Sequence, residues 1–383
     1  MKIKCKKCGN EDINHFYFIN NKYYCRACLS FIGQVSQLSY KIKPVVTRAQ
    51  IDYELSSSQK KIAKEIFYEE KEIFVKAVCG AGKTECVFPS IEKALQEGKR
   101  VGFAIPRKEV VKEIYERLKE VFQNVKIVAV YGGHYDDLKG DIVVFTIHQS
   151  YRYVNAFGLL IIDEYDAFPF KGNITLFNFV QKTCNQKRVY LSATFLNEEL
   201  QDNKSVYLNK RYHYVNIPVP KVVLLNEILQ YRFIIRKCLN KKENEILFIF
   251  TPTIKECEIM HKILKHAHIK SVVFHSKVPN KNDLFSLIKK RYYKIVISTS
   301  ILERGITLEA LNVIVYSSDH KIFDHRCLIQ ISGRVGRKKN HPSGYIYFLA
   351  KKSNKEIEKA ISDIKKSNSL IEYGDMCDMQ KEF

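Results

Sequence analysis

Three groups of residues in this chain have the types and spacing to do chemistry. Gly80, Ala81, Gly82, Lys83 and Thr84 form the run GAGKT. Small residues let a backbone curl until its N–H groups meet phosphate oxygens at a helix start, while the lysine reaches the β/γ-phosphates and the threonine hydroxyl ligates Mg²⁺. Asp163 and Glu164, in the stretch DEYDAFPF (163–170), follow the apolar run FGLLII (157–162). A phosphate-bound Mg²⁺ calls for a carboxylate at a neighbouring strand end, here Asp163, and an attacking water calls for a base or orienting group, here Glu164. Alone, Asp163, Glu164 and Asp166 could simply solvate a strand end, and the loop has Ala77 where the longer phosphate-loop pattern begins with Gly. Each motif supplies the context the other needs. The third group is Cys5, Cys8, Cys25 and Cys28, in CKKC and CRAC. Two such pairs at this separation fit a four-cysteine zinc ribbon or knuckle, whereas a redox dithiol needs only one.

These residues require particular elements behind them. FGLLII does not alternate, as suits a central strand covered on both faces. The runs IFVKAV (73–78), RVGFAI (100–105), VKIVAV (125–130), DIVVFT (141–146), GLLIID (158–163) and KRVYLS (187–192) alternate with stretches of helical periodicity such as 106–122. A Pro-bearing segment, YVNIPVPKV (214–222), reads as a linker. Beyond it come EILFIF (245–250), KSVVFH (270–275), KIVIST (294–299), NVIVYS (312–317) and GYIYFL (344–349). The expected class is α/β: two tandem parallel-sheet domains over 46–215 and 216–383, behind a small metal-binding module at 1–45. The segment 351–368 reads as a polar, solvated helix.

Composition narrows the partners. The chain has 383 residues, a formal net charge of +22 and 46% hydrophobic residues, so it can fill two cores and favours a polyanion, nucleic acid first. Eleven cysteines in a reducing compartment suit thiols or metal ligands rather than disulfides. No apolar stretch is long enough to span a bilayer, and MKIKCKKCGN lacks a signal-peptide core, so the expected location is the cytoplasm. Residues 1–50 hold nine Lys/Arg against two acids, and HFYFINNKYY (15–24) interleaves rings with cations. That combination suits a single-strand platform, with some of the rings forming the module's own core.

The ordered set GAGKTE, DEYD, SAT (192–194), STSILERGIT (298–307) and QISGRVGR (330–337) resembles the superfamily-two helicases, motors with two RecA-like domains. The resemblance runs from about residue 50 onward. It implies that Arg334 and Arg337, which would share a face if helical, act as arginine fingers beside Lys83, Asp163 and Glu164. It implies that Gln59 in LSSSQ reads adenine, although the serines would also cap a helix there, and that Gly305 and Gln330 sense nucleotide. Pro106, Arg107, Gly132, Gly133, Thr146, Thr251 and Thr299 fall where such motors hold the strand backbone.

The leading four-cysteine module and the continuation Ala167-Phe168-Pro169 make the chain similar to the ComFA family. That resemblance implies a cytoplasmic ATPase stimulated by single-stranded DNA, assisting DNA uptake in natural competence. A phosphoribosyltransferase-like competence protein and the membrane uptake channel are the implied partners, the latter placing the motor at the inner face of the cell membrane. Two alternatives stay open: a replication-restart helicase resembling PriA, and a zinc-ribbon clamp that ATP merely switches.

Overall fold

The computed structural model describes residues 3–135, 137–165, 170, 172–193, 204–299, 308–338 and 340–369. The chain divides into two compact units, residues 1–77 with 82–208 and residues 78–81 with 209–383.

The first unit begins with a hairpin, β1 (Phe16–Ile19) and β2 (Lys22–Cys25). Asn20 and Asn21 turn it at positive φ, a conformation in which asparagine is tolerated. After α1 (Ser57–Tyr68) come β3 (Glu72–Ala77), α2 (Phe88–Gln96), β4 (Val101–Ile105), α3 (Lys108–Val121), β5 (Ile127–Val130) and β6 (Ile142–Thr146). Then follow β7 (Leu159–Asp163), α4 (Ile174–Thr183), β8 (Lys187–Ser192) and β9 (Lys204–Leu208). The seven strands β3 to β9 form one sheet in the order β5-β6-β4-β7-β8-β3-β9, and every pairing is parallel.

The second unit carries β10 (Lys221–Leu224), α5 (Glu227–Leu239), β11 (Ile246–Phe250), α6 (Ile254–His266) and β12 (Val272–Phe274). It continues with α7 (Lys281–Lys289), β13 (Ile295–Ser298), β14 (Leu311–Val315), α8 (His325–Ser332), β15 (Ile346–Ala350) and α9 (Lys355–Ser369). Its parallel sheet runs β10-β15-β14-β11-β13-β12. Along β11, Phe248 and Phe250 enter one buried cluster and Leu247 and Ile249 the other. Both faces of the strand are therefore covered, which is why its sequence does not alternate.

Two expectations need correction. The linker segment 214–222 overlaps β10, an edge strand whose residues are only half-buried or exposed, so little apolar signal marks it. The segment 351–368 is helical but not simply solvated. Ile357, Ala360 and Ile364 of α9 are buried in the second unit's core, three and four apart on one face.

Candidate nucleotide, metal and nucleic-acid sites

Parallel strands bring their C-terminal ends to one edge of a sheet, where open α/β sheets bind ligands. In the first unit Asp163 pairs with Leu191 and Leu191 with Val75. The end of β7 therefore lies level with the end of β3, from which the GAGKT loop departs. Gly80 and Gly82 sit at φ +85 and +75, the left-handed region that a tight loop demands and glycine supplies without strain. A short 3-10 turn, Glu85–Val87, leads into α2.

Lys83 Nζ lies 2.5 Å from Asp163 Oδ1. Burial pushes the Asp163 carboxyl above its usual range; Lys83 pulls it back and Glu164 adds to the rise. Thr84 is also buried. Glu164 takes a positive φ of 55, and its N–H donates to Leu191 O at 2.8 Å. Asp166 and Ala167-Phe168-Pro169 lie outside the described residues.

Gln59 does what the serines predicted and more. Its N–H donates to Ser56 Oγ and its Oε1 accepts from Ser56 N–H, a reciprocal cap on α1. Its Nε2 also donates to Gly82 O at 3.3 Å, tying the cap to the phosphate loop. A network that the sequence did not announce stands beside it. Tyr53 Oη donates to Glu85 Oε1 at 3.1 Å, and Arg117 donates to both. The three residues come from a loop, the phosphate-loop turn and α3, so no local spacing could have revealed them.

The candidate strand-holding residues of the first unit occupy the other half of the same sheet edge. Ile105 pairs with Thr146 and Val130 with Phe145, so Pro106, Arg107, Gly132, Gly133 and Thr146 cluster at the ends of β4, β5 and β6. Gly132 and Gly133 form an open turn: among the described residues, a side chain at either would meet nothing within 4 Å beyond its chain neighbours.

In the second unit Thr251 and Thr299 follow the adjacent strands β11 and β13. Thr251 is fully buried. Its hydroxyl meets Thr253 O at 3.2 Å and Cys257 Sγ at 2.9 Å, so this side chain is turned inward. Gln330 is buried on α8. Arg334 and Arg337 do not share a helix, because α8 ends at Ser332 with Gly333 as its cap and Gly336 adopts φ +65. Arg211, absent from the sequence reading, holds that turn. Buried itself, it donates to the carbonyls of Val335 and Gly336 at 2.7 Å and of Gly333 at 3.0 Å. Thr194 and Gly305 fall outside the described residues.

Cys5, Cys8, Cys25 and Cys28 bring four sulfurs within 4.8 Å of one another. Cys5 and Cys28 Sγ are 3.8 Å apart, and Cys8 and Cys25 Sγ 3.6 Å. Four thiolates at ~2.3 Å from a tetrahedral zinc stand about 3.8 Å apart, so the donor set and its dimensions fit that ion. Asn10 Nδ2 donates toward Cys25 Sγ at 3.7 Å, an outer contact of the kind that orients a ligand. Burial alone would raise the Cys5 thiol, but hydrogen bonds from the Cys8 and Lys7 amides and from neighbouring thiols bring it to about 7. Burial pushes Cys8 up to about 11 and also raises Cys28. His15 lies 3.4 Å from Asp12 and away from this set.

Among the described residues the module's own core is small, its buried cysteines packing with Phe16, Ala27 and Phe31. Phe18, Tyr23 and Tyr24 are exposed, Tyr17 stacks on Tyr24 and Phe18 packs on Tyr23, and of the hairpin rings only Phe16 packs against the cysteines. Further apolar support comes from Tyr151 and Phe179 of the neighbouring sheet domain, packed with Phe31.

The DEAD/DEAH box helicase family model matches residues 56–202, and the helicase conserved C-terminal domain model matches residues 227–339. The chain is 33% identical to the competence protein ComFA of Bacillus subtilis, covering 98% of this chain and 88% of that protein. It is 31% identical to ComFA of Streptococcus pneumoniae over 96% and 90%. The chain belongs to the ComFA family. It is thus a competence-related, helicase-type enzyme of superfamily two that hydrolyses ATP, and helicase kinship supports nucleic-acid binding. The fold resembles that of S. cerevisiae Dbp5, solved bound to RNA and ADP BeF3, with a TM-score of 0.64, 17% identity and coverage of 83% of this chain and 89% of that one. No helix among the described residues is long and apolar enough to cross a membrane.

Proposed function

We propose that this ComFA-family chain is a cytoplasmic motor that hydrolyses ATP to draw single-stranded DNA inward during natural transformation. The observation that carries the reading is the ion pair between Lys83 and the buried Asp163 at the C-terminal ends of β3 and β7, the two strands that flank β8. A buried carboxylate and a lysine that neutralise each other are each ready for a stronger partner, Lys83 a phosphate and Asp163 a metal. Gly80, Ala81, Gly82 and Thr84 would cradle the phosphates, and Gln59 would read the base. Thr84 and Asp163 would hold Mg²⁺, which supplies charge neutralisation on the phosphates. Glu164 orients the water and takes its proton as the bond from the γ-phosphorus to the bridging oxygen breaks. Arg334 and Arg337 are assigned to charge stabilisation, Gly305 and Gln330 to nucleotide sensing.

The four cysteines hold zinc in this reading, giving shape to a module too small to fold on apolar contacts. Pro106, Arg107, Gly132, Gly133, Thr146 and Thr299 contact the strand backbone. Thr251, with its hydroxyl engaged internally, supports the neighbouring turn instead. A phosphoribosyltransferase-like competence protein and the membrane uptake channel are the partners this role calls for. The test is displacement of streptavidin from biotinylated single-stranded DNA. ATP-dependent displacement by the wild type, absent with a non-hydrolysable analogue, is expected; hydrolysis without displacement would refute translocation.

A further inference from the structure

We propose that the groove between the four-cysteine module and the first sheet domain binds one nucleotide unit of a single-stranded nucleic acid. The inference rests on the nucleic-acid reading above and deepens it by adding a site outside the motor motifs. The groove has a volume of about 350 Å³, at the lower end of the range of small-ligand pockets. Lys6, Lys7 and Lys182 border it, and among the described residues no carboxylate does. Its walls are apolar, with Tyr151 from the segment after β6 and Val154 beyond it. Val154 is 55% exposed on a chain that is otherwise strongly cationic. An apolar wall with a cationic rim complements a base joined to its phosphate.

The groove is built rather than incidental. Lys182 Nζ donates to Lys6 O at 2.7 Å and Lys7 O at 2.9 Å, pinning the first cysteine turn to α4. Tyr151 Oη donates to Ile32 O at 2.9 Å, and the Ser36 N–H and hydroxyl both donate to Arg152 O, at 2.7 and 2.8 Å. Lys7 Nζ stands 5.8 Å from the Tyr151 ring centroid.

The position suits a strand already held by the motor. Thr146 ends β6, and a 3-10 segment, Ile147–Arg152, joins it to the groove wall. Six residues at ~2 Å each span about 12 Å, so the groove wall begins within about 12 Å of Thr146 along the chain.

Lys6 contributes only its carbonyl to the docking contacts, and its side chain is free to change without loosening them. The experiment measures fluorescence anisotropy of a labelled oligo-dT on the full-length, zinc-loaded protein across a salt series. Lys6→Ala is expected to weaken binding several-fold and reduce the slope of log K against log salt by about 0.7, the value for one phosphate contact on a single strand. Zinc content and DNA-free ATP hydrolysis should stay at wild-type levels. As a second probe, Val154→Asp should weaken binding more than Val46→Asp, which makes the same charge change at an exposed valine away from the groove. An unchanged slope for Lys6→Ala with equal effects of the two aspartates would overturn the site while leaving the motor reading intact. A wild type that binds no oligo-dT would overturn both.

Discussion

Replacing Lys83 by Ala removes the partner of a carboxylate that is almost fully buried. Breaking a buried pair on one side costs about 3–5 kcal/mol, because the remaining charge is left unpaired. At ~2–4 °C per kcal/mol for a domain of this size, the melting temperature should fall by roughly 6–20 °C. The cost depends on pH in a definite direction. Burial already holds the Asp163 pKa above its unfolded value, and Lys83 is the group that lowers it. A carboxyl whose folded pKa is raised favours the folded state most below its unfolded pKa, and that benefit is lost as pH rises through the folded pKa. Without Lys83 the folded pKa rises further. The stability gap between variant and wild type should therefore be smallest at about pH 4, the ordinary aspartate range, and widen toward pH 8. Thermal unfolding at both pH values reads this directly, and Lys83→Met with Asp163→Asn should recover much of the lost stability while remaining inactive. A Lys83→Ala protein as stable as wild type at pH 8 would show that the pair is not buried and coupled as described.

Other outcomes follow from single contacts. Glu164→Gln should keep nucleotide binding but lower turnover by at least ~100-fold, the minimum typical of a lost general base, as read by steady-state hydrolysis beside a nucleotide-binding titration. Gly82→Ala places a Cβ 2.3 Å from Gln59 Nε2 on a backbone at φ +75, so ATP affinity should drop sharply in equilibrium binding while the melting temperature changes modestly. Metal analysis should return about one zinc per chain, and Cys25→Ser should lose it; full zinc in that variant would refute the four-cysteine site.

The fold class was legible because burial on both strand faces leaves a mark in a single sequence. Runs such as ILFIF cannot serve a half-exposed strand, and their alternation with periodic helices implies crossovers. The edge strand β10 left a much weaker mark, since its residues are half-buried or exposed. The cap at Gln59 was legible because it depends on a three-residue spacing, whereas its bond to Gly82, 23 positions on, was not. The Tyr53–Glu85–Arg117 network and the carbonyl-holding Arg211 were not legible. Their partners lie between 32 and 125 positions away, and nothing local distinguishes Arg211 from the other basic residues of a basic chain. The module's core was legible only in part for the same reason: Phe16 belongs to it, but its supporting rings Tyr151 and Phe179 come from the neighbouring domain. Arg334 and Arg337 would share a face only on a continuous helix, and α8 ends at Ser332, before them.

The proposed motor should be an ATPase driven by single-stranded DNA. Steady-state ATP hydrolysis by the purified protein tests it most directly, measured alone and with single-stranded DNA, duplex DNA or RNA, with Lys83→Ala as the blank. Strong stimulation by single-stranded DNA above the other polymers, and none in the variant, is the predicted result. Equal stimulation by RNA, or no stimulation by any polymer, would contradict it.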